Sequence, residues 1–530
     1  MKGKAFKSLV LVVSIMLVIV GGANASIPEE ILWGGPTSLP DYIGEPAKAH
    51  PTANSKVPQN PFMAPYPFTH GHSDAWMSDT ADIAGPLGRN PVTLSSTMAE
   101  ARLYPDSWLI PTGSMSFDSH GRPILNAYGM NEAAVIMLDP DTLEVLTYYP
   151  LDVQPGPPMG EGAQKFLPSM WSIYGYLDNR DQIHIVSENK KVFTLREGGS
   201  PSNPVFELAD EVYDLTQLVE QTADRIGGVI VDYQGRYWIN MGASPTIYLL
   251  NPATAEAPYL DLPHVDLGAG EFTRNGMAIT KTGGDRATAY IVTTEKMYRV
   301  DVGADDQPYI VWEEPYDTIG TVRPGQYELG SGTTPTVLGE GKYVAITDNA
   351  EQMHVVVYRT DARLDPNESR VVCEVPVFDF PGGGAGANSN SLSGSRNSII
   401  VQNTSDYLFD WEDATLVTPS KPGIERIDID PNGKGCTKVW VNMEVASTEL
   451  PKPSTRTGLI YTQDRKYDAE NDVYVYYWVA LDFRTGEVVW EKMMGTGDRF
   501  DNWWAPLGIG PNGALYGTVY GGVTLIRDTP

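Results

Sequence analysis

Short apolar runs separated by polar, glycine-bearing turns fill this chain from about residue 110 to its end. The clearest case lies between residues 274 and 302. There Gly276-Met277-Ala278-Ile279 leads to a turn at 281–286, then Ala289-Tyr290-Ile291-Val292, then Met297-Tyr298-Arg299-Val300. Runs of this length, rich in Val, Ile, Tyr and Thr, predict strands on a pleated, half-buried surface. Helical periodicity is nearly absent, and residues 213–225 form the best short helix.

The same three-run unit recurs. Its first copy spans 112–117, 123–127 and 134–138, turning at Asp118-Ser119-His120-Gly121. The second runs over 171–176, 182–186 and 191–195, and the third over 227–231, 237–240 and 246–250. The fifth takes 334–338, 343–347 and 354–358, and the sixth 390–393, 398–402 and 423–429 with a long insertion at 404–422. The seventh takes 457–462, 473–480 and 487–491, and the eighth 505–510, 514–519 and 523–527. Units spaced by roughly 45–60 residues are the signature of propeller blades. The expected fold is therefore an all-β β-propeller of eight blades, with seven as the alternative. The last unit lacks an outer strand, and one drawn from residues 92–104 would close the ring and remove its free edges.

The ends change this picture. Lys2, Lys4 and Lys7 precede an apolar run at 9–20 and the small-residue site Ala23-Asn24-Ala25. This pattern predicts a leader over residues 1–25 and an exported protein, periplasmic or extracellular. The apolar run is short for a membrane span and no second one follows, so the mature chain is not expected to cross a bilayer. Residues 26–95 are rich in proline and polar residues and predict an extended arm over a propeller domain at 96–530. Losing the three leader lysines takes the net charge from −29 to −32. So acidic a chain is no candidate for nucleic-acid binding, which needs a basic surface. Cys373 and Cys436 are the two cysteines, and in an exported chain they predict a disulfide between neighbouring blades.

Two segments carry family resemblances. Asn275-Gly276-Met277-Ala278, followed by Tyr290-Ile291-Val292 and Met297-Tyr298-Arg299-Val300, resembles the gluconolactonase/regucalcin type of propeller and its strictosidine-synthase-like relatives. That resemblance implies that Asn275 binds a divalent metal over the central channel. Ala480-Leu481-Asp482-Phe483-Arg484-Thr485-Gly486-Glu487-Val488-Val489-Trp490 resembles the repeat of pyrroloquinoline-quinone-type propellers, in which Trp and Gly dock neighbouring blades. The chain has no adjacent cysteine pair, which sets it apart from the quinone dehydrogenases.

Propeller loops converge where each innermost strand starts and where each second strand ends, and ligands bind there. This rule selects Asn275, Asp348, Asn349, Asn403 and Glu188 as oxygen ligands of the kind Ca2+ prefers. Asp348 and Glu295 are the candidate general bases, and Arg274, Arg456, Trp503 and Trp504 the candidate substrate contacts. The leading expectation is a cation-dependent small-molecule site, with hydrolysis of a lactone or ester as the reaction. One alternative is a non-catalytic scaffold for protein or carbohydrate. The other is a copper-dependent oxidoreductase using His70, His72 and Asp74 of the arm.

Overall fold

The computed structural model describes residues 35–97, 110–128, 133–151, 159–161, 164–166, 174–187, 190–222, 226–242, 244–273, 275–283, 286–327, 329–379, 386–410, 415–502 and 504–530. The leader at 1–25 lies outside these residues, as do Glu188, Arg274 and Trp503.

Eight antiparallel sheets follow one another along the chain, and they are the eight expected blades. Blade 1 pairs Ile110–Phe117, Pro123–Tyr128, Ala133–Leu138 and Val145–Leu151 in order from the channel outward. Blades 2 to 5 repeat that order, with innermost strands Tyr176–Leu177, Ile226–Val231, Ala278–Thr282 and Thr336–Leu338. Blade 6 starts at Ser393–Ser395, and its insertion forms a two-stranded hairpin, Leu408–Asp410 with Thr415–Thr418. Blade 8 takes its outer strand from Val92–Thr97, which pairs with Gly522–Arg527 and joins the two ends of the ring. Helix is confined to Thr216–Thr222 and one 3-10 turn among the described residues, none long and apolar enough to cross a membrane.

The innermost hairpins of blades 1 to 3 share one turn chemistry. Asp118 accepts N–H bonds from His120 and Arg122, Asp178 from Arg180 and Gln182, and Asp232 from Gln234 and Arg236. The third residue after the aspartate is left-handed, at Gly121 (φ 79°), Asp181 (φ 60°) and Gly235 (φ 83°). Glycine or a small polar residue suits that position. The arginine one further on folds back onto its aspartate, at 2.7 Å in blade 1 and 2.8 Å in blade 3. Burial does the rest. Trp238, Trp478 and Trp490 are fully buried, and the second strand of blade 3 and the third strand of blade 7, around Trp238 and Trp478, are buried on both faces. Gly486, at φ 74°, lies against the Trp440 ring of blade 6, where a Cβ would come within 2.4 Å.

Blade 7 departs from the sequence reading. Its innermost strand is Lys452–Ser454, and the run starting near 457 is the second strand, Leu459–Asp468. The true inner strand is three residues of Lys, Pro and Ser with no apolar pattern, so periodicity selects its neighbour instead.

Cys373 and Cys436 are bonded, with Cα atoms 5.9 Å apart on the outer strands of blades 5 and 6. The bond closes a loop of 63 residues. By chain entropy it is worth about 4 kcal/mol against the unfolded state. Cys373→Ala/Cys436→Ala is expected to lower the unfolding midpoint in denaturant with the blades intact; an unchanged midpoint would refute a stabilising role.

The arm first adds Tyr42–Gly44 to the outer edge of blade 7, beside Val488–Thr496, and then enters the ring. Between residues 60 and 82 it runs along the channel-facing edges of the inner strands. Phe117 and Leu177 donate backbone N–H bonds to Phe68 and Thr69. Ile279 donates to Ala75, Val337 to Trp76 and Gly394 to Ser78, while Ala81 donates to Pro453. The arm thereby supplies partners to inner strands that otherwise expose an unpaired edge.

Candidate functional site

Residues 70–79 coil tightly against the channel wall. Ser73, Met77 and Asp79 are all left-handed, at φ 73°, 55° and 55°. Such backbone persists in non-glycine residues only where surrounding bonds over-determine it. Here Asp74 supplies those bonds. It accepts from Trp76 N at 2.8 Å, Ser78 N at 3.4 Å and Ser78 Oγ at 2.5 Å.

The coil presents two imidazoles to a cavity of about 20 Å³, lined also by Met77, Tyr174, Asn240 and Gly276. Their hydrogen bonds assign their tautomers. His72 Nδ1 lies 2.9 Å from Asp79 Oδ2 and 3.2 Å from Oδ1, so Nδ1 carries the proton and Nε2 keeps its lone pair. His70 Nδ1 accepts the backbone N–H of His72 at 3.1 Å, so in the neutral ring the proton sits on Nε2. That Nε2 is buried and has no partner among the described residues. Burial, with His72 and Lys452 nearby, holds the His70 pKa well below the usual imidazole range and keeps the ring neutral. The two rings meet edge to face with centroids 5.9 Å apart, and His72 stacks on Tyr174 at 6.2 Å.

Behind them lies a buried charge pair. Lys452 Nζ is 3.5 Å from Asp79 Oδ1, and it donates to Gly71 O at 2.7 Å and Ser73 Oγ at 3.1 Å. Burial lowers the Lys452 pKa while Asp79 pulls it back up. Glu449 is buried one turn earlier. Asn502 Nδ2 donates to its Oε1 at 3.2 Å, its Oε2 has no partner among the described residues, and burial raises its pKa well above the usual carboxylate range.

The other expected site residues fall as follows. Asn275, Glu295, Asp348, Asn349 and Asn403 lie at the end of the ring where inner strands start. Asn275 donates to Ser331 O at 3.2 Å, and Glu295 is exposed. Asp348 is consumed by His354, whose backbone N–H and Nδ1 each lie 2.7 Å from it. Asn403 Oδ1 accepts from Ala387 N and Ser405 N. Only Asn349 keeps a buried side-chain oxygen without a partner. Arg456 sits in the first turn of blade 7, at the opposite end, and pairs with Asp82 at 2.8 Å. Trp504 packs its ring on Tyr327 and Tyr407, with centroids 4.4 and 5.1 Å apart.

Calcium needs several oxygens free to converge. Among the described residues no three His, Cys, Asp or Glu side chains are grouped to hold a metal ion, a set that does not include the amide oxygens of Asn275, Asn349 and Asn403. Of the suggested copper donors, Asp74 is bonded to Ser78 rather than to the imidazoles, and the unpartnered Nε2 of neutral His70 carries the ring proton. The carboxylate that meets His72 is Asp79, with Lys452 behind it; the polar inner strand of blade 7 hid Lys452 from sequence reasoning.

Burial also pushes Asp74 and Asp501 up to about 6. A carboxylate raised in the folded state favours the native protein while protonated, so this contribution is lost as pH rises from about 4 to 6. The unfolding temperature is expected to fall across that window, and Asp74→Asn to reduce the fall; a flat wild-type profile would contradict it.

No protein-family model matches the chain. It is 25% identical over 283 residues to an uncharacterized protein of Archaeoglobus fulgidus, covering 48% of this chain and 51% of that one. The chain thus spans about half the length of the curated relative it matches. Among solved structures it is similar to BamB from Moraxella catarrhalis, with TM-score 0.41, 12% identity, and 83% and 98% of the two chains covered. It is also similar to a streptogramin B lyase, with TM-score 0.38, 11% identity, and 86% and 99% covered. A 6-phosphogluconolactonase-like protein of Bacteroides fragilis gives TM-score 0.37, 12% identity, and 74% and 96% covered.

Proposed function

We propose that the chamber is a metal-independent acid–base site that hydrolyses an ester or lactone of a small molecule. The observation that carries this reading is the pairing of one imidazole lone pair with one imidazole N–H at a single cavity. A cavity of about 20 Å³ is the size that holds one water. In this reading His72 Nε2 takes a proton from that water as its oxygen attacks the carbonyl carbon. His70 Nε2–H donates to the carbonyl oxygen as negative charge builds there. Asp79 steadies the imidazolium that forms on His72. Collapse of the tetrahedral adduct breaks the bond to the alkoxide, which takes the proton back from His72.

The leader pattern supports placing this chemistry outside the cytoplasm. The test is a hydrolysis assay of the purified chain on a panel of small lactones and aryl esters, with His72→Gln and His70→Leu beside the wild type. Hydrolysis that survives chelator and fails in His72→Gln supports the reading. No hydrolysis across the panel, or hydrolysis abolished by chelator, rejects it.

A further inference from the structure

The end of the ring opposite the candidate site holds a second cavity, of about 610 Å³. It lies between the arm segment 53–57 and the first turns of blades 5 and 6, and its lining includes Lys56, Tyr66, Asp82, Glu340 and Arg396. Its walls are tied together. Arg396 N donates to Ser55 Oγ at 2.6 Å, Ser395 Oγ to Ala53 O at 3.3 Å, and Tyr66 OH to Thr80 O at 2.8 Å.

The charges here are unusual for this chain. It carries 67 acidic and 38 basic side chains, so a cation normally has a carboxylate at hand. Asp82 is already engaged, by Arg456 at 2.8 Å and by Thr455 Oγ1 at 2.8 Å. Lys56 and Arg396 both lack a side-chain partner among the described residues, and both are exposed to the cavity's solvent. Glu340 is the one uncommitted carboxylate. Arg396 and Glu340 moreover hold left-handed positions at the tips of adjacent hairpins, at φ 54° and 59°. Glycine or asparagine takes such positions at lower cost, so side-chain chemistry, not turn geometry, favours charged residues there.

We propose that this cavity binds a small anion, a phosphate or carboxylate group held jointly by Lys56 and Arg396. Arg396 supplies a planar fork and Lys56 a point charge, the pairing that phosphate and carboxylate groups recruit. Glu340, on the hairpin bonded to that of Arg396 through Gly339 N and Arg396 O at 2.6 Å, accepts from a hydroxyl or amine on the same ligand. The cavity volume falls within the range of small-molecule sites.

The experiment is calorimetric titration of the full chain at low ionic strength with inorganic phosphate, and separately with succinate. One-site binding of either is expected. Lys56→Gln and Arg396→Gln should each weaken it by about fivefold or more, as loss of a charge-assisted contact does. Glu340→Gln should tighten it, and His72→Gln should leave it unchanged. The anion bound more tightly identifies the group recognised. If neither anion binds, or if the Lys56→Gln/Arg396→Gln double variant binds as the wild type does, the proposal fails.

Discussion

His72→Gln is expected to slow ester or lactone hydrolysis by a factor on the order of 10² to 10⁴, the usual worth of a positioned general base. The glutamine side chain can still donate to Asp79 and fill most of the space of the ring. It offers no nitrogen lone pair to the cavity, so the water loses its base. The wild-type rate should depend on pH through its general base, and the variant's profile should be flat. His70→Leu removes a donor to the developing oxyanion and should cost about 10² to 10³, with the wild-type pH profile retained. His70→Gln keeps an N–H in reach of the cavity and should recover part of that loss. This split separates a base from a donor, and a merely structural pair would lose or keep both properties together. A His72→Gln enzyme that retains both the wild-type rate and its pH profile would end the assignment.

The architecture was legible because most blades write out their strands locally, and blades 1 to 3 share one turn chemistry as well. Asp232-Tyr233-Gln234-Gly235-Arg236 reads as a tight turn, and the structure gives it the bonds and the left-handed glycine that such a turn needs. Closure by a strand near residue 92 was legible for a different reason, since blade 8 ends without an outer strand. The chamber was less legible. His70 and His72 stand out in the sequence, but their partner does not. Alternation on an extended chain would aim Asp74 with them, whereas three left-handed residues curl the segment and bring Asp79 there instead. Lys452 sits about 380 residues away in an inner strand whose polarity disguises it. Burial of a lysine is a property of the closed ring, and no local pattern encodes it. The loop rule for propeller mouths found real mouth positions such as Asn275 and Asp348. It could not reveal that both Asp348 oxygens and the Asn275 amide nitrogen are spent on holding loops together.

The largest effect on stability is expected from Asp79→Ala. Asp79 is fully buried and serves both His72 and Lys452. Its removal leaves the Lys452 ammonium buried with Asp74 and Glu449 as the acids around it, both pushed toward the neutral form by burial. Breaking one side of such a pair costs about 3–5 kcal/mol. The neutral hydrogen bonds from Lys452 to Gly71 and Ser73 survive but cannot replace a counter-charge. The cost carries a pH signature. Without Asp79 the Lys452 pKa drops further in the folded state, while in the unfolded chain it stays near 10.4. A lysine depressed on folding destabilises most where the unfolded chain holds the proton, so the deficit should shrink as pH rises toward 10. Lys452→Met in the Asp79→Ala background removes the stranded charge and should restore part of the loss, giving a favourable coupling in a double-mutant cycle. Additive losses, independent of pH, would mean that the ammonium and the carboxylate do not depend on each other, and that the arm is held in the channel by its backbone bonds and packing alone.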